Sequence, residues 1–237
     1  MQTSFNLKAT LFAAIFLVLT VFASCKSDKP EIADQAPIVA GSKSVYITNE
    51  GNFQFGNASV SYYSPDQNQV VEDIFKANNG QSLGDVCQSI AYFNEKFYLV
   101  INNSHKIEVV NAETFKSCGT ISGLNSPRYF LPINNQKGYV TDIYDNKIAI
   151  VDLNSNSVTG HIPCTGWTEE LTMISGKVFV TNPYRDKIYI INSITDQITD
   201  SITIGYASNS LKEDKNGKLW ILCGGNSTIP GGLYCVN

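Results

Sequence analysis

Beyond residue 43 the chain alternates short runs of β-branched and aromatic residues with clusters of Asn, Asp, Ser and Gly. No stretch there keeps apolar residues at a 3.6-residue period over about 11 positions, the pattern an amphipathic helix requires. The runs KIAIVDL (residues 147–153) and KIYIINS (residues 187–193) are bounded by Asp-Asn, Arg-Asp, Asn-Ser and Thr-Asp pairs. Apolar runs of that length between turn-forming pairs read as strands. The pattern therefore predicts an all-β chain with almost no helix.

The runs repeat. VYITN, FYLVIN, GYVTD, VFVTN and LWIL open five equivalent units, and their aromatic residues Tyr46, Tyr98, Tyr139, Phe179 and Trp220 stand 52, 41, 40 and 41 residues apart. A period of about 40 to 45 residues is characteristic of propeller blades. In the third unit, strands are expected over residues 129–133, 138–141, 147–152 and 157–162. A single four-stranded sheet cannot bury both faces, whereas blades stacked around an axis can. The expected fold is an all-β propeller of four-stranded antiparallel blades, with about five repeats visible. The last unit stops at GGLYCVN, within its third strand, and is incomplete. Closure takes about 4 to 8 blades, so a truncated ring is expected; a five-bladed ring closed by a strand from residues 36–40 is the alternative.

The N-terminal region changes the compartment. Lys8 is followed by an apolar run over residues 11–23 and then by Phe-Ala-Ser-Cys. That run is short for a membrane-spanning helix, and the arrangement resembles a bacterial lipoprotein signal peptide. The expected organisation is a signal peptide over residues 1–24, a lipid-anchored linker over 25–41 and the propeller over 42–237. Cys25 is the expected lipidated residue, and acyl chains there would tether the chain to a membrane. The expected location is the outer membrane, lipid-anchored and exposed at the cell surface.

The chain carries 17 basic and 21 acidic residues, a formal net charge of −4. Cleavage of the leader would remove Lys8 and make it one unit more negative. With 16% charged residues and no basic run, nucleic acid is not an expected partner. Apart from Cys25, the cysteines are Cys87, Cys118, Cys164, Cys223 and Cys235, an odd number. No C-x-x-C spacing suggests zinc or redox chemistry, so small buried side chains are the main expectation.

The strings YVTDIYDNKIAIVDLNSNSVTGHIP and FVTNPYRDKIYIINSITDQITDSITIG resemble the YVTN (YncE-like) β-propeller repeat over about residues 44–237. The family usually has seven blades, and the matching positions are core and turn residues, which specify architecture rather than activity. The first unit, VYITNEGNFQFGNASVSYY with NGQSLGDVCQSI, resembles surface lipoproteins of Bacteroides type that capture vitamin B12. That resemblance implies a small ligand, a corrinoid, delivered to a TonB-dependent outer-membrane transporter. A glycan ligand and a protein partner are the alternatives.

In a four-stranded blade, the loops between second and third strands share one rim with the connections between blades. Candidate ligand-binding residues on that rim are Phe53, Phe55, Asp85, Arg128, Tyr144, Trp167, Tyr184, Arg185, Tyr206 and Asn209. Aromatic, amide and charged groups on a rigid rim suit a polar organic ligand. Gly51 and Gly56 bracket Phe53 and Phe55 in a loop expected to display both rings. No G-x-S-x-G, H-E-x-x-H or P-loop occurs. Glu169 and Glu170 are adjacent and would point apart, which is poor geometry for an acid/base pair. No cofactor and no enzymatic activity are expected; a propeller lyase or quinone-dependent dehydrogenase is the remaining catalytic reading.

Overall fold

The computed structural model describes residues 44–236. The expected leader, Cys25 and the linker lie outside the described residues. Within them, five antiparallel sheets are arranged as the blades of a β-propeller. Blade 1 contains β1 (Val45–Asn49), β2 (Ser59–Ser64) and β3 (Gln69–Val71). Blade 2 contains β4 (Cys87–Phe93), β5 (Lys96–Ile101), β6 (Lys106–Asn111) and β7 (Ser117–Ile121). Blade 3 contains β8 (Pro127–Pro132), β9 (Lys137–Asp142), β10 (Lys147–Asp152) and β11 (Ser157–Pro163). Blade 4 contains β12 (Leu171–Ile174), β13 (Lys177–Val180), β14 (Lys187–Asn192) and β15 (Gln197–Thr203). Blade 5 contains β16 (Ser208–Glu213), β17 (Leu219–Cys223) and β18 (Gly232–Val236). The repeat-based register holds, since Tyr98, Tyr139, Phe179 and Trp220 all lie on second strands.

Burial explains why some strands alternate and others do not. In β5 and β9 five consecutive residues are buried, because neighbouring blades cover both faces. In β17 buried and exposed residues alternate strictly, because only one face meets another described blade. Four apolar clusters fill the blade interfaces. Leu99 and Phe97 pack with Val60 and Tyr62 between blades 1 and 2, while Tyr98 and Val100 pack with Phe130 and Val140 between blades 2 and 3. Tyr139 and Ile148 meet Leu171 and Val178 between blades 3 and 4, and Ile188 meets Leu211 and Ile221 between blades 4 and 5. Cys87, Cys164 and Cys223 are buried among these residues, and Cys118 and Cys235 are exposed.

The longer first interval has a physical cause. After β3 the chain forms α1 (Ile74–Asn79), capped by the Asp73 carboxylate on the Lys76 N–H and ended by Gly80 at φ 70°. Ile74 and Phe75 are fully buried in the first interface, and the Asn79 side chain donates to the Phe115 carbonyl and accepts from the Ser117 N–H. A helix this short is held by tertiary contacts.

The repeat's Thr and Asn or Asp side chains brace each blade and its loops, and hydroxyls of the following blade bond their backbone. The Thr141 hydroxyl accepts from the Tyr129 N–H at 3.0 Å, and the Thr181 hydroxyl donates to the Glu170 carbonyl at 3.1 Å. Asp142 accepts from the N–H groups of Ser126, Tyr144 and Asp145, and Asn182 accepts from that of Tyr184. The Thr168 and Ser208 hydroxyls accept from the N–H groups of Asp142 and Asn182, binding the approach to β12 and the start of β16 to the preceding blade. Rim loops are thereby fixed by buried hydrogen bonds.

Candidate functional site

The loops between second and third strands do share a rim with the inter-blade connections. Backbone bonds join Ala58 to Gly84, Asn103 to Asp85, Ile143 to Ser126, Cys164 to Asn146 and Ala207 to Arg185. First strands of adjacent blades lie beside one another and face the axis. At their starts, β4, β8 and β16 carry register shifts between Cys87 and Ser89, Pro127 and Phe130, and Ser208 and Ser210. A bulge at a strand end re-aims its side chains. The equivalent positions in blades 2 to 5 are Gln88, Arg128, Glu169 and Asn209, spaced 40, 41 and 40 residues apart.

These positions form a polar chain across blades. Arg128 Nε donates to both Glu169 carboxylate oxygens at 3.1 and 2.9 Å, and Nη2 donates to Oε1 at 2.6 Å. Arg128 Nη1 donates to Gln88 Oε1. The Trp167 indole N–H donates to Glu169 Oε2. Arg128 also lies over the Trp167 ring at 5.5 Å, and Tyr184 meets that ring edge-on at 5.5 Å and 83°. Fork geometry and a cation over an indole both hold Arg128 in one orientation. Glu170 turns the other way, accepting from the Ser210 hydroxyl at 2.7 Å and the Leu211 N–H at 3.0 Å. Burial, then the charges of Glu169 and Glu170, raise the pKa of Tyr129, so its hydroxyl stays protonated.

Arg128, Trp167 and Tyr184 are thus brought together, with Glu169 as their common partner. Gln88 is a further member that sequence reasoning missed; its signal is the 40-residue spacing to Arg128 when the first strands are set in register. Asn209 occupies the same position in blade 5, exposed and with no hydrogen bond to a described residue. Tyr144 and Arg185 are exposed at neighbouring loop tips, and Tyr206 is half-buried. Phe53 and Phe55 stand apart from the Trp167 group. Their loop is pinned where Asp85 Oδ2 accepts from the Gln54 N–H at 2.7 Å and from Asn103 Nδ2 at 2.5 Å. Asn57 closes the loop on the Asn52 N–H, and a Cβ on Gly51 would sit 2.5 Å from the Asn57 side chain. The rings are held outward, 62% and 75% exposed. Asp85 itself is buried and joins two loops, and its Oδ1 has no hydrogen-bond partner.

His105 ends the turn after β5, with Nδ1 against the Asn125 carbonyl, and His161 is exposed on β11. Among the described residues no three of His, Cys, Asp and Glu group so as to hold a metal ion. No helix among them is long and apolar enough to cross a membrane.

A β-propeller with five blades among the described residues and a polar rim is the class that fold and site define. The sequence profile of a domain of unknown function, DUF5074, matches residues 43–237, and the chain belongs to that family. No curated protein matches the chain. Among solved structures, it is similar to the extracellular domain of a protein assigned to a hybrid two-component system of B. thetaiotaomicron. There the identity is 15%, with 77% of this chain and 25% of the other covered at a TM-score of 0.61. A quinonprotein alcohol dehydrogenase-like protein of Bacteroides thetaiotaomicron is similar at 17% identity, 81% and 50% coverage and a TM-score of 0.59. Hydrazine synthase of Kuenenia stuttgartiensis matches at 15% identity, 60% and 43% coverage and a TM-score of 0.56. The match spans half or less of each of these three chains. At such identities the likeness speaks for the fold alone.

Proposed function

We propose that this protein is a cell-surface lipoprotein whose propeller rim binds a small polar organic ligand and delivers it to a TonB-dependent outer-membrane transporter. The observation that carries the reading is the group of Arg128, Glu169, Trp167 and Tyr184, where a fixed indole and an exposed phenol adjoin a hydrogen-bonded axial chain. A rigid aromatic surface beside a few oriented polar groups suits a ligand with a flat or ring-shaped face and several hydrogen-bonding substituents. Corrinoid is the first candidate, supported by the resemblance of the first unit to vitamin B12-capturing surface lipoproteins. Glycan is the second, because the exposed rings of Tyr144 and Tyr184 suit stacking on sugars. The lipobox-like segment before Cys25 supports attachment to a membrane, and the likeness to an extracellular Bacteroides domain agrees with exposure outside the cell.

The test is a calorimetric titration of residues 26–237 with cyanocobalamin, alongside a thermal melt. A ligand selective for the folded state must raise the melting temperature. Saturable heat with a raised melting temperature is expected; a cooperative melt with no heat would remove corrinoid as the ligand.

A protein partner is favoured by a different observation. The outward faces of the terminal blades expose Val45 and Ile47 on β1, and Leu222 and Leu233 on β17 and β18. Exposed apolar side chains on a sheet face suit packing against another polypeptide or against further blades. Capture of one specific protein, with no small molecule bound, would favour that reading.

A further inference from the structure

An arginine at the axis of a binding propeller invites the expectation of an anionic ligand. The surroundings of Arg128 argue otherwise. Its Nε and Nη2 face Glu169, its Nη1 faces Gln88, and its flat side lies over Trp167. Two edges and one face of the guanidinium are therefore occupied. The Arg128 and Glu169 side chains are only 16% and 7% exposed, so water screens their pairing little. Glu170 follows directly, held by the Ser210 hydroxyl and the Leu211 N–H, neither of which carries charge. Arg128 and Glu169 cancel one another's charge at the mouth, and Glu170 is turned away from them. The polar groups beside this pair that are open to an arriving molecule are the neutral Asn209 amide and Tyr184 phenol, with the exposed Arg185 at the loop tip next to Tyr184.

We infer that Glu169 is a specificity-determining residue: by closing Arg128 it makes the axial mouth reject anions and favour uncharged ligands rich in hydroxyl or amide groups. The inference rests on the reading of this rim as a ligand site, and it narrows that reading to a chemical class. The physical logic is discrimination by an unfavourable element. An anion would have to displace a carboxylate already paired in fork geometry. A neutral molecule displaces only water from Asn209 and the aromatic faces.

The experiment needs no identified ligand. Trp220→Phe leaves Trp167 as the only tryptophan of the chain, so its emission reports events at the mouth. In that background, wild-type Glu169, Glu169→Gln and Glu170→Gln are titrated with inorganic phosphate at constant ionic strength. Glu169→Gln keeps an acceptor for Arg128 but removes the neutralising charge, and it is expected to bind phosphate at least about tenfold tighter than the wild type. Glu170→Gln leaves Arg128 paired and is expected to gain little, which separates release of Arg128 from a general fall in negative charge. A thermal melt of each variant confirms that it is folded. Saturable phosphate binding by the wild type, as tight as in Glu169→Gln, overturns the inference and needs no variant to fold. Cyanocobalamin and maltoheptaose are titrated in parallel. If neither binds while the phosphate results are as expected, the rim as a ligand site fails, and exclusion of anions stands.

Discussion

Replacing Arg128 by Met removes the cation that links blades 3 and 4 at the axis while keeping an unbranched stem of similar reach. The Glu169 carboxylate, 7% exposed, then retains only the Trp167 indole N–H among its present donors. Removing one partner of a buried ion pair costs about 3 to 5 kcal/mol, because a charge is left uncompensated. Arg128 is 16% exposed at a mouth that water can enter, which brings the expectation to about 2 to 3 kcal/mol. A domain of this size loses about 2 to 4 °C of melting temperature per kcal/mol, so a drop of about 5 to 10 °C is expected. Arg128→Met with Glu169→Leu removes both charges and should restore most of the loss, giving a coupling energy of about 2 kcal/mol. Urea and thermal melts of the wild type, both single variants and the double variant measure it. Single-variant losses below about 0.5 kcal/mol that simply add would refute a buried pair holding the two blades together.

The remaining predictions test packing, titration and the rim. A Cβ at Gly138 would lie 2.4 Å from the Phe130 ring, which stacks on Tyr98 with centroids 4.3 Å apart; Gly138→Val should cost about 1 to 3 kcal/mol in urea melts, and no loss would mean that Phe130 has room to move. Burial pushes the Cys87 and Cys164 thiols up to about 12. Their contribution is fully present below the unfolded value of 9.0 and is lost as pH rises from there towards the folded value, by up to about 1.4 kcal/mol per pH unit per thiol. Cys164→Ala should flatten the decline of urea midpoints between pH 9 and pH 11, and an unchanged slope would count against it. Under native conditions iodoacetamide should modify the exposed Cys118 and Cys235 and spare Cys87, Cys164 and Cys223 until urea is added; mass spectrometry reads the difference. Phe53→Ala with Phe55→Ala should change stability by less than about 0.5 kcal/mol, since both rings already face solvent; a larger loss would show that the loop packs on a blade.

The blades were legible because strand propensity, turn chemistry and period agree. Asn111, Asp152 and Asn192 each accept from N–H groups two and three residues ahead, so the turn after every third strand of blades 2 to 4 is written locally. At the close of those turns Phe115, Asn156 and Asp196 share a positive φ of 54°, 51° and 56°. Asn and Asp tolerate that region readily, whereas Phe115 is held there by burial against Tyr46 and Phe97. That exception is tertiary in origin and has no local signature. The six-residue α1 escaped for the same reason, since Ile74 and Phe75 are too few to show a helical period.

The site was legible as a composition on the rim but not as a constellation. Arg128, Trp167 and Tyr184 stood among the candidates, yet their meeting depends on a bulge that turns Arg128 across to the next blade, where it finds Glu169. Asp85 stands on the rim by its position in the repeat, and the structure places it as a buried tie between two loops. A carboxylate in a loop reads alike in either role until its donors are known.

A paired titration tests the Trp167 group as a ligand site most directly. Residues 26–237 and the Trp167→Ala, Tyr184→Ala variant are each titrated with cyanocobalamin and with maltoheptaose, and melts establish that both proteins are folded. Saturable binding of one of these ligands by the wild type, weakened at least about tenfold in the variant, is the predicted result. Equal binding by both proteins, or binding by neither, would contradict a ligand site built on the Trp167 group.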